Sequence, residues 1–298
     1  MPVSLKNAIK TRCFERNNII SFMLTLLYRT AKSQGLKAVI SRPVFQALGL
    51  YCALRRRGKL RHYVVTPTEN VLYIMDRHVI KYPISATSVE ALACAGAMYT
   101  ALKSTALASL IPYQQRAYKC FIIIDRLYPI APDAYDIADI LKRLRGVNTG
   151  QENTTMQALF DAAYKKEPAL QRLASIIPKD AIIDQGFMHG DLTPKNIMRT
   201  DKGQIALIDL DRCTWQGIPQ YDQMHYAIER RAKENAQYKR YYDTLEELID
   251  EAQSQDVLRG YLFYFLCRLN LERENKAAFC TQERQKIEKI ITLFVRAL

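Results

Sequence analysis

The pattern of apolar and polar residues predicts helices toward both ends of the chain and a small sheet between them. From residue 4 to about residue 57, apolar residues recur at helical spacing. Three short runs rich in β-branched and aromatic residues follow, separated by turn-forming residues, which is typical of antiparallel strands. These predicted strands are Arg61 to Thr66, Asn70 to Met75 and His78 to Tyr82.

The remaining pattern completes a mixed fold. An alanine-rich helix is predicted over Ser88 to Lys103, and another apolar strand over Tyr118 to Asp125. The rest is mainly helical, with one polar interruption that holds two short strands joined by the turn Asp201-Lys202-Gly203. These strands are expected near Asn196 to Arg199 and Gln204 to Asp209. We therefore predict an α+β fold with a small antiparallel-sheet lobe and a larger helical lobe.

The positive charge of the chain is concentrated at its N-terminal end. The 298 residues include 43 Lys and Arg against 30 Asp and Glu, a net charge of +13. Thirteen of the basic residues lie between Met1 and His62, where Glu15 is the single acidic residue. We expect three segments: a basic helical extension over residues 1–60, the sheet lobe over 61–128 and the helical lobe over 129–298.

Cysteine usage and hydropathy indicate a cytoplasmic protein. The seven cysteines form no CxxC pair and no group with His at zinc-ligand spacing, so neither a disulfide framework nor a structural metal is expected. The longest apolar run, Ile19 to Tyr28, has ten residues, whereas a spanning helix needs about 20. No apolar stretch follows the first charged residues, so a secretory signal is not expected.

The strongest chemical signal is the segment His189-Gly190-Asp191, with Asn196 five residues after the aspartate. Asp209 follows thirteen residues after Asn196, at the end of the second predicted hairpin strand. Phosphoryl transfer requires a carboxylate that orients the attacking hydroxyl, and oxygen ligands that hold Mg²⁺ against the phosphates. These residue types at this spacing fit that chemistry.

This segment resembles the catalytic loop of the kinase-like superfamily, in particular its small-molecule branch. There the loop reads HGDxxxxN and the metal-binding strand ends in an IDxD motif. The resemblance implies a two-lobed protein-kinase-like fold and an ATP-dependent phosphotransferase. It also implies that Asp191 is the catalytic base, that Asn196 and Asp209 hold Mg²⁺, and that His189 supports the loop.

Lys81 and Glu90 resemble the kinase lysine that contacts the α- and β-phosphates of ATP and the glutamate that pairs with it. Lys81 lies in the third predicted strand and Glu90 near the start of the next helix. The alternative is an edge-strand lysine and a first-turn glutamate stabilised by the helix dipole. Backbone groups of Asp125, Arg126 and Leu127 resemble the segment that binds adenine.

Three features depart from the protein-kinase pattern. The first two strands contain no GxGxxG loop, Asp209-Leu210-Asp211 lacks the glycine of the DFG motif, and Thr193 stands where Ser/Thr protein kinases carry a lysine. Lys195 could supply that charge at the transferred phosphoryl group. Side chains at i and i+2 of an extended segment project to one side, so Asp211 could join Asp209 as a further metal ligand. The alternative is that Asp211 pairs with Arg212 or Lys195.

Two further segments resemble motifs of enzymes with known acceptor classes. Ile208 to Arg212 resembles the metal motif of sugar kinases that phosphorylate Kdo or heptose in lipopolysaccharide core assembly. Gly217 to Asp222 resembles the GxPxYD segment of aminoglycoside and choline phosphotransferases, in which the aspartate braces the catalytic loop. We expect ATP-dependent phosphorylation of a hydroxyl on a sugar, glycan or glycolipid.

The basic N-terminal segment bears on where that acceptor lies. A basic helix with an apolar face can bind an anionic membrane surface, so residues 1–60 are expected to place the enzyme peripherally on the inner face of the cell membrane. The alternative is that the segment packs on the lobes. It contains no recognisable nucleic-acid module, so nucleic-acid binding is not expected. Alternative functions are a soluble aminoglycoside- or choline-like phosphotransferase, a bacterial protein kinase, or a pseudokinase that acts as a binding module.

Overall fold

The computed structural model describes residues 60–66, 70–83, 85–118, 121–147, 153–234, 241–271 and 281–298. The predicted basic extension, including its apolar run, lies outside these residues apart from Leu60. The described chain divides into two compact units. The first comprises the described residues up to Ile130 together with Ile197–Arg212, and the second comprises Ala131–Asn196 and Cys213–Leu298. No helix in the described ranges is long and apolar enough to cross a membrane.

The first unit is built on a five-stranded antiparallel sheet with strand order β1-β2-β3-β5-β4. The strands are β1 (Leu60–Val65), β2 (Asn70–Met75), β3 (His78–Pro83), β4 (Gln115–Ala117) and β5 (Ile122–Asp125). Alternate side chains along β2 and β3 are buried, which is the period expected for a sheet with one covered face. The core of this sheet consists of Val71, Tyr73, Met75, Ile80, Tyr82, Phe121 and Ile123.

Helix α1 (Ala86–Lys103) follows β3 and begins at a capping box. The Ser85 hydroxyl accepts a hydrogen bond from the Ser88 amide, and the Ser88 hydroxyl accepts one from the Ser85 amide. The buried residues of α1 recur every three or four positions and form one face. They are Ser88, Leu92, Ala95, Tyr99 and Leu102. A short 3₁₀ helix over Ala106–Leu110 follows.

The predicted strand from Tyr118 to Asp125 is wrong in its first half. The chain forms a hairpin there, in which β4 pairs with β5 and the Tyr118 amide donates to the Phe121 carbonyl at 2.8 Å. The intervening sequence contains no glycine, proline or asparagine to signal a turn. Apolar character alone therefore could not distinguish one long strand from a reversal.

The hairpin predicted beyond Asn196 is present and belongs to the first unit, although the sequence analysis placed it in the segment 129–298. Strands β10 (Ile197–Arg199) and β11 (Ile205–Leu207) pair with each other, and β10 also pairs with β6 (Tyr128–Pro129). Gly203 in the connecting turn has φ +79°, which glycine adopts without steric cost. The Tyr113 hydroxyl donates to the Leu207 carbonyl at 3.0 Å, which ties the hairpin to this unit.

The second unit is mainly helical. Its helices are α2 (Ile137–Arg145), α3 (Met156–Lys166), α4 (Pro219–Glu234), α5 (Tyr241–Asp250), α6 (Gln255–Leu271) and α7 (Thr281–Ala297). This unit also contains two short antiparallel strand pairs. Strand β7 (Thr154–Thr155) pairs with β8 (Ile182–Ile183), and β9 (Gly186–Met188) pairs with β12 (Thr214–Gly217). Helix α6 lies in the core, because Leu262, Tyr264 and Phe265 are fully buried. The sheet and these helices confirm the predicted α+β class.

Strands β9 and β12 approach so closely at Gly217 that the position requires glycine. A Cβ atom there would lie 2.4 Å from Met188 Cβ and 2.9 Å from Thr214 Cγ2. We expect Gly217→Ala to lower the free energy of unfolding by about 1–3 kcal/mol, measured by urea denaturation. In the control Gly260→Ala on α6, the added Cβ would meet Met224 Cε at 3.7 Å, so stability should hold or rise. Equal stability of Gly217→Ala and the wild type would contradict this packing.

Candidate active site

The loop that follows β9 is buried along most of its length and leaves one carboxylate accessible. Leu192, Thr193 and Pro194 are buried, whereas the side chain of Asp191 is 23% exposed. Gly190 has φ +76°, in the left-handed region that glycine tolerates. The sharp turn at this glycine leads directly to Asp191, whose side chain is partly exposed.

Asp222 on α4 anchors this loop through its backbone. The Asp222 carboxylate accepts the His189 amide at 2.6 Å and the Gly190 amide at 2.9 Å. Asp222 itself is buried, so these bonds connect the loop to the helical core. The prediction that this aspartate braces the loop before Asp191 is confirmed, and the catalytic role of the loop stays a prediction.

Burial raises the pKa of Asp222 to about 6. The His189 imidazole and the two amide hydrogen bonds act in the opposite direction, because they favour the charged carboxylate. Desolvation is the larger effect. The charge of this carboxylate is therefore sensitive to pH in the range between pH 4 and 7.

Asn196 and Asp191 are joined directly. The Asn196 side-chain amide donates to the main-chain oxygen of Asp191 at 2.8 Å and to its Oδ2 at 3.0 Å. Asn196 is buried at the end of the 3₁₀ turn Pro194–Asn196, and Lys195 in the same turn is exposed. Because the nitrogen of the Asn196 amide is used internally, its oxygen is the atom left for a cation.

His225 is a residue of this site that the sequence analysis missed. Its Nε2 lies 3.3 Å from Asp191 Oδ1, and its Nδ1 lies 2.8 Å from the Tyr264 hydroxyl. The side chain is 1% exposed. His225 follows Asp222 by three residues on α4, and one helical turn separates them. The helical spacing from Asp222 was therefore the one available signal for it.

In the first unit, Lys81 Nζ lies 2.7 Å from Asp209 Oδ1. Lys81 is on β3, which lies between β2 and β5, so the edge-strand alternative is wrong. Its side chain is 14% exposed, against 41% for Asp209. Among the described residues, Asp209 is the one non-glycine with positive φ, +59°. Strained backbone of this kind clusters at functional sites, where the surrounding structure holds it in place.

Glu90 does not reach Lys81, contrary to the expectation of a lysine–glutamate pair. Glu90 is exposed on α1. It lies about 200° around the helix from the buried Ser88, at 100° per residue, and therefore opposite the packed face. In the described part of the chain, the carboxylate that pairs with Lys81 is Asp209.

The expectation that Asp209 and Asp211 share an extended segment is also wrong. Strand β11 ends at Leu207, Asp209 has left-handed backbone, and Leu210–Arg212 form a 3₁₀ turn. The two-residue alternation of a strand therefore does not apply. Asp211 is partly buried in this turn, and its role as a metal ligand stays a prediction.

Two of the three backbone amides in the predicted adenine-binding segment donate hydrogen bonds within the protein. The Asp125 amide donates to the Gln114 carbonyl at 3.0 Å, and the Arg126 amide donates to the Arg77 carbonyl at 2.9 Å. Within the described ranges, the Leu127 amide donates to no protein atom. A ligand that accepts a hydrogen bond from the backbone here would therefore bind the Leu127 amide.

A family model described as the phosphotransferase enzyme family matches residues 98–254, just over half of the chain. The chain belongs to this family. The matched region contains Asp191, Asn196, Asp209 and Asp222, whereas Lys81 and Glu90 precede it. The predicted ATP-dependent phosphotransferase activity toward a hydroxyl group is thus confirmed.

Several solved structures are similar to this phosphotransferase. One is aminoglycoside phosphotransferase APH(2'')-Ib with ADP bound, which has 12% sequence identity and a TM-score of 0.47. The match covers 84% of this chain and 97% of that one. Choline kinase LicA from Streptococcus pneumoniae has 13% identity and a TM-score of 0.47, over 85% and 99%. Aminoglycoside phosphotransferase APH(3'')-Id from Streptomyces rimosus has 16% identity and a TM-score of 0.45, over 76% and 98%. No curated protein sequence matches the chain.

Replacement of Asp222 should destabilise the phosphotransferase in a pH-dependent manner. Asp222→Ala leaves two amides without their acceptor, so the free energy of unfolding at pH 5 should fall by about 1–3 kcal/mol or more. Because the folded pKa is raised to about 6 from an ordinary 3.8, the folded state binds more protons than the unfolded state between these values. The stabilisation linked to the proton is complete below about pH 4 and is lost as pH rises through 6.

The stability difference between wild type and Asp222→Ala should therefore shrink from pH 5 to pH 7, measured by urea denaturation at each pH. Asp184→Ala, which removes an exposed carboxylate of the same unit, should show no such trend. A difference that grew with pH would mean that the two amides, and not burial, control the charge of Asp222.

Lys81 and Glu90 should differ sharply on replacement. Lys81→Ala should weaken ATP binding by about 10-fold or more, because a hydrogen bond to a charged group contributes roughly 1.5–3 kcal/mol. Glu90→Ala should leave the affinity within about twofold, since its side chain is exposed and distant from the packed face of α1. Isothermal titration with ATP and Mg²⁺ measures both. Equal losses in the two variants would show that Glu90 does support Lys81.

Proposed function

We propose that this chain transfers the γ-phosphate of ATP to a hydroxyl of a sugar, glycan or glycolipid at the inner face of the cell membrane. The observation that carries the catalytic part is the arrangement of Asp191. Its carboxylate is partly exposed, and Asn196 and His225 contact one oxygen each. A carboxylate held in this way can orient an attacking hydroxyl and accept its proton.

On the nucleotide side, Lys81 would contact the α- and β-phosphates of ATP. Its side chain is mostly buried on a central strand and pairs with Asp209, so the position of its charge is well defined. The adenine base would be bound through the backbone of the segment 125–127, with the Leu127 amide as donor. Lys195, which is exposed beside Asn196, would neutralise charge on the transferred phosphoryl group.

The donor set suits magnesium. The carboxylate of Asp209 and the amide oxygen of Asn196 are hard oxygen ligands of the kind that Mg²⁺ prefers. When bound, Mg²⁺ would neutralise negative charge on the phosphate oxygens. Asp211 is the candidate for a further ligand.

The acceptor class is supported by two features of the sequence. The segment Ile208 to Arg212 resembles the metal motif of lipopolysaccharide core sugar kinases. The excess of positive charge before residue 63 suits an anionic membrane surface, where each basic residue contributes about 1 kcal/mol. Aminoglycoside- or choline-like acceptors are the soluble alternative within the same family.

Labelling with γ-³²P-ATP and Mg²⁺ tests the proposal. Three acceptor pools should be compared at low salt: membrane glycolipids including lipopolysaccharide core, soluble kanamycin and choline, and a protein mixture. We expect label in the glycolipid pool and its loss with Asp191→Asn, while Asp184→Asn, an exposed carboxylate, should retain it. Label confined to kanamycin, choline or protein would contradict the acceptor class, and an active Asp191→Asn would contradict the catalytic assignment.

A further inference from the structure

A buried chain of polar groups leads from the helical core to the catalytic aspartate. The Tyr264 hydroxyl lies 2.8 Å from His225 Nδ1, and His225 Nε2 lies 3.3 Å from Asp191 Oδ1. Tyr264 on α6 is fully buried and His225 on α4 is nearly so. All three residues belong to the second unit. A buried histidine often serves only to pack the core with both ring nitrogens hydrogen-bonded. Here, however, one of the two nitrogens contacts the carboxylate of Asp191.

The direction of each hydrogen bond follows from the chemistry of the groups. Burial lowers the pKa of His225, and the Arg268 guanidinium adds to this effect, while the hydrogen bond to Asp191 opposes it. The imidazole is therefore neutral and carries one N–H. Because a carboxylate can only accept, that hydrogen is on Nε2. Nδ1 is then an acceptor, so the Tyr264 hydroxyl must donate to it.

The imidazole ring has little freedom to leave this arrangement. Tyr221 stacks on His225 with centroids 5.2 Å apart and planes 14° apart, and it stacks on Tyr264 at 5.2 Å and 17°. The Tyr221 hydroxyl in turn accepts a hydrogen bond from Arg268 Nη1 at 3.3 Å. Ring rotation would break the Tyr264 bond and the stack together. His225 thus presents its Nε2–H in one fixed direction.

We propose that His225 is a positioning residue for phosphoryl transfer, which fixes the Asp191 carboxylate by donating Nε2–H to Oδ1 and is itself oriented by the Tyr264 hydroxyl. With Asn196 on Oδ2 and His225 on Oδ1, both carboxylate oxygens have a defined neighbour. Rotation of the carboxylate about its Cβ–Cγ bond would break both contacts. The inference rests on the proposed role of Asp191 as catalytic base.

Substitution by asparagine or by glutamine tests whether His225 acts through the hydrogen-bond donor at its Nε2 position. Glutamine places its side-chain nitrogen near the position of imidazole Nε2, whereas asparagine ends near the position of Nδ1 and cannot reach Asp191. We expect His225→Asn to lower kcat by about 10- to 100-fold, as a small misplacement of a catalytic group does. The KM for ATP should change by less than about threefold, because Asp191 is not assigned to the nucleotide. His225→Gln should recover most of kcat.

The assay uses hydrolysis of γ-³²P-ATP with Mg²⁺ by the full-length protein, with water in the place of the acceptor hydroxyl. Tyr264→Phe should lower kcat less than His225→Asn does, because it removes only the group that orients the imidazole. Thermal unfolding of each variant is measured in parallel. Equal kcat in His225→Asn and the wild type would overturn the inference, and so would equal losses in the asparagine and glutamine variants.

A double variant distinguishes failure of this inference from failure of the proposed function. If His225 acts through Asp191, then His225→Asn should cause no further loss in an Asp191→Asn background. Full activity of Asp191→Asn alone would refute the proposed function. An inactive Asp191→Asn beside a fully active His225→Asn would refute only the positioning role.

The tautomer provides a test in the wild type that does not depend on how well a variant folds. Long-range ¹H–¹⁵N NMR at pH 7 should show His225 protonated at Nε2 and unprotonated at Nδ1. Assignment is practical because the chain has four histidines. Tyr264→Phe should shift the Nδ1 resonance. A His225 ring protonated at Nδ1 would overturn the proposed direction of the hydrogen bonds.

Discussion

The loop that presents Asp191 depends on the hydrogen bonds between the Asp222 carboxylate and the amides of His189 and Gly190. A buried carboxylate is costly, and here two backbone amides that donate hydrogen bonds to it offset that cost. The bonds fix the backbone on the N-terminal side of Asp191. Since Asp222 lies on α4, the position of that helix determines where the aspartate emerges.

Helix α4 acts on Asp191 a second time through His225, one turn after Asp222. One residue of α4 thus holds the loop backbone and another contacts the side chain. The stacked Tyr221 belongs to the same helix, and Tyr264 of α6 packs against it. The Asp191 carboxylate keeps part of its surface accessible and is contacted by groups that are themselves buried. Asp191 is thus oriented by His225, whose own position is fixed by packing against Tyr221 and Tyr264.

In the first unit, Asp209 has a backbone conformation that costs an L-amino acid roughly 1–2 kcal/mol. The ion pair with Lys81 and the turn over Leu210–Arg212 hold the residue in this conformation. The strain lies at the residue to which the resemblance to the kinase-like superfamily assigns the proposed metal role. Family membership establishes phosphotransfer to a hydroxyl, and none of these contacts selects a particular acceptor. The acceptor proposal therefore rests on sequence motifs and charge, outside this network.

The sequence by itself determined the strands β2 and β3, helix α1, the hairpin beyond Asn196 and the spacing of Asp191, Asn196 and Asp209. These features depend on local periodicity, turn residues and short motif distances, which can be read from neighbouring residues. The bracing role of Asp222 was implied by the resemblance of Gly217 to Asp222 to a short family motif, which is equally local.

Only the tertiary structure decided the remaining features of the site. Lys81 pairs with Asp209, 128 positions away, and not with Glu90. His225 on helix α4 contacts Asp191 in a loop 34 positions earlier. The hairpin at β4 and the internal use of the Asp125 and Arg126 amides likewise depend on which strands become neighbours. Pairings of this kind are set by packing between distant segments, and no periodicity along one segment records which partner it will meet.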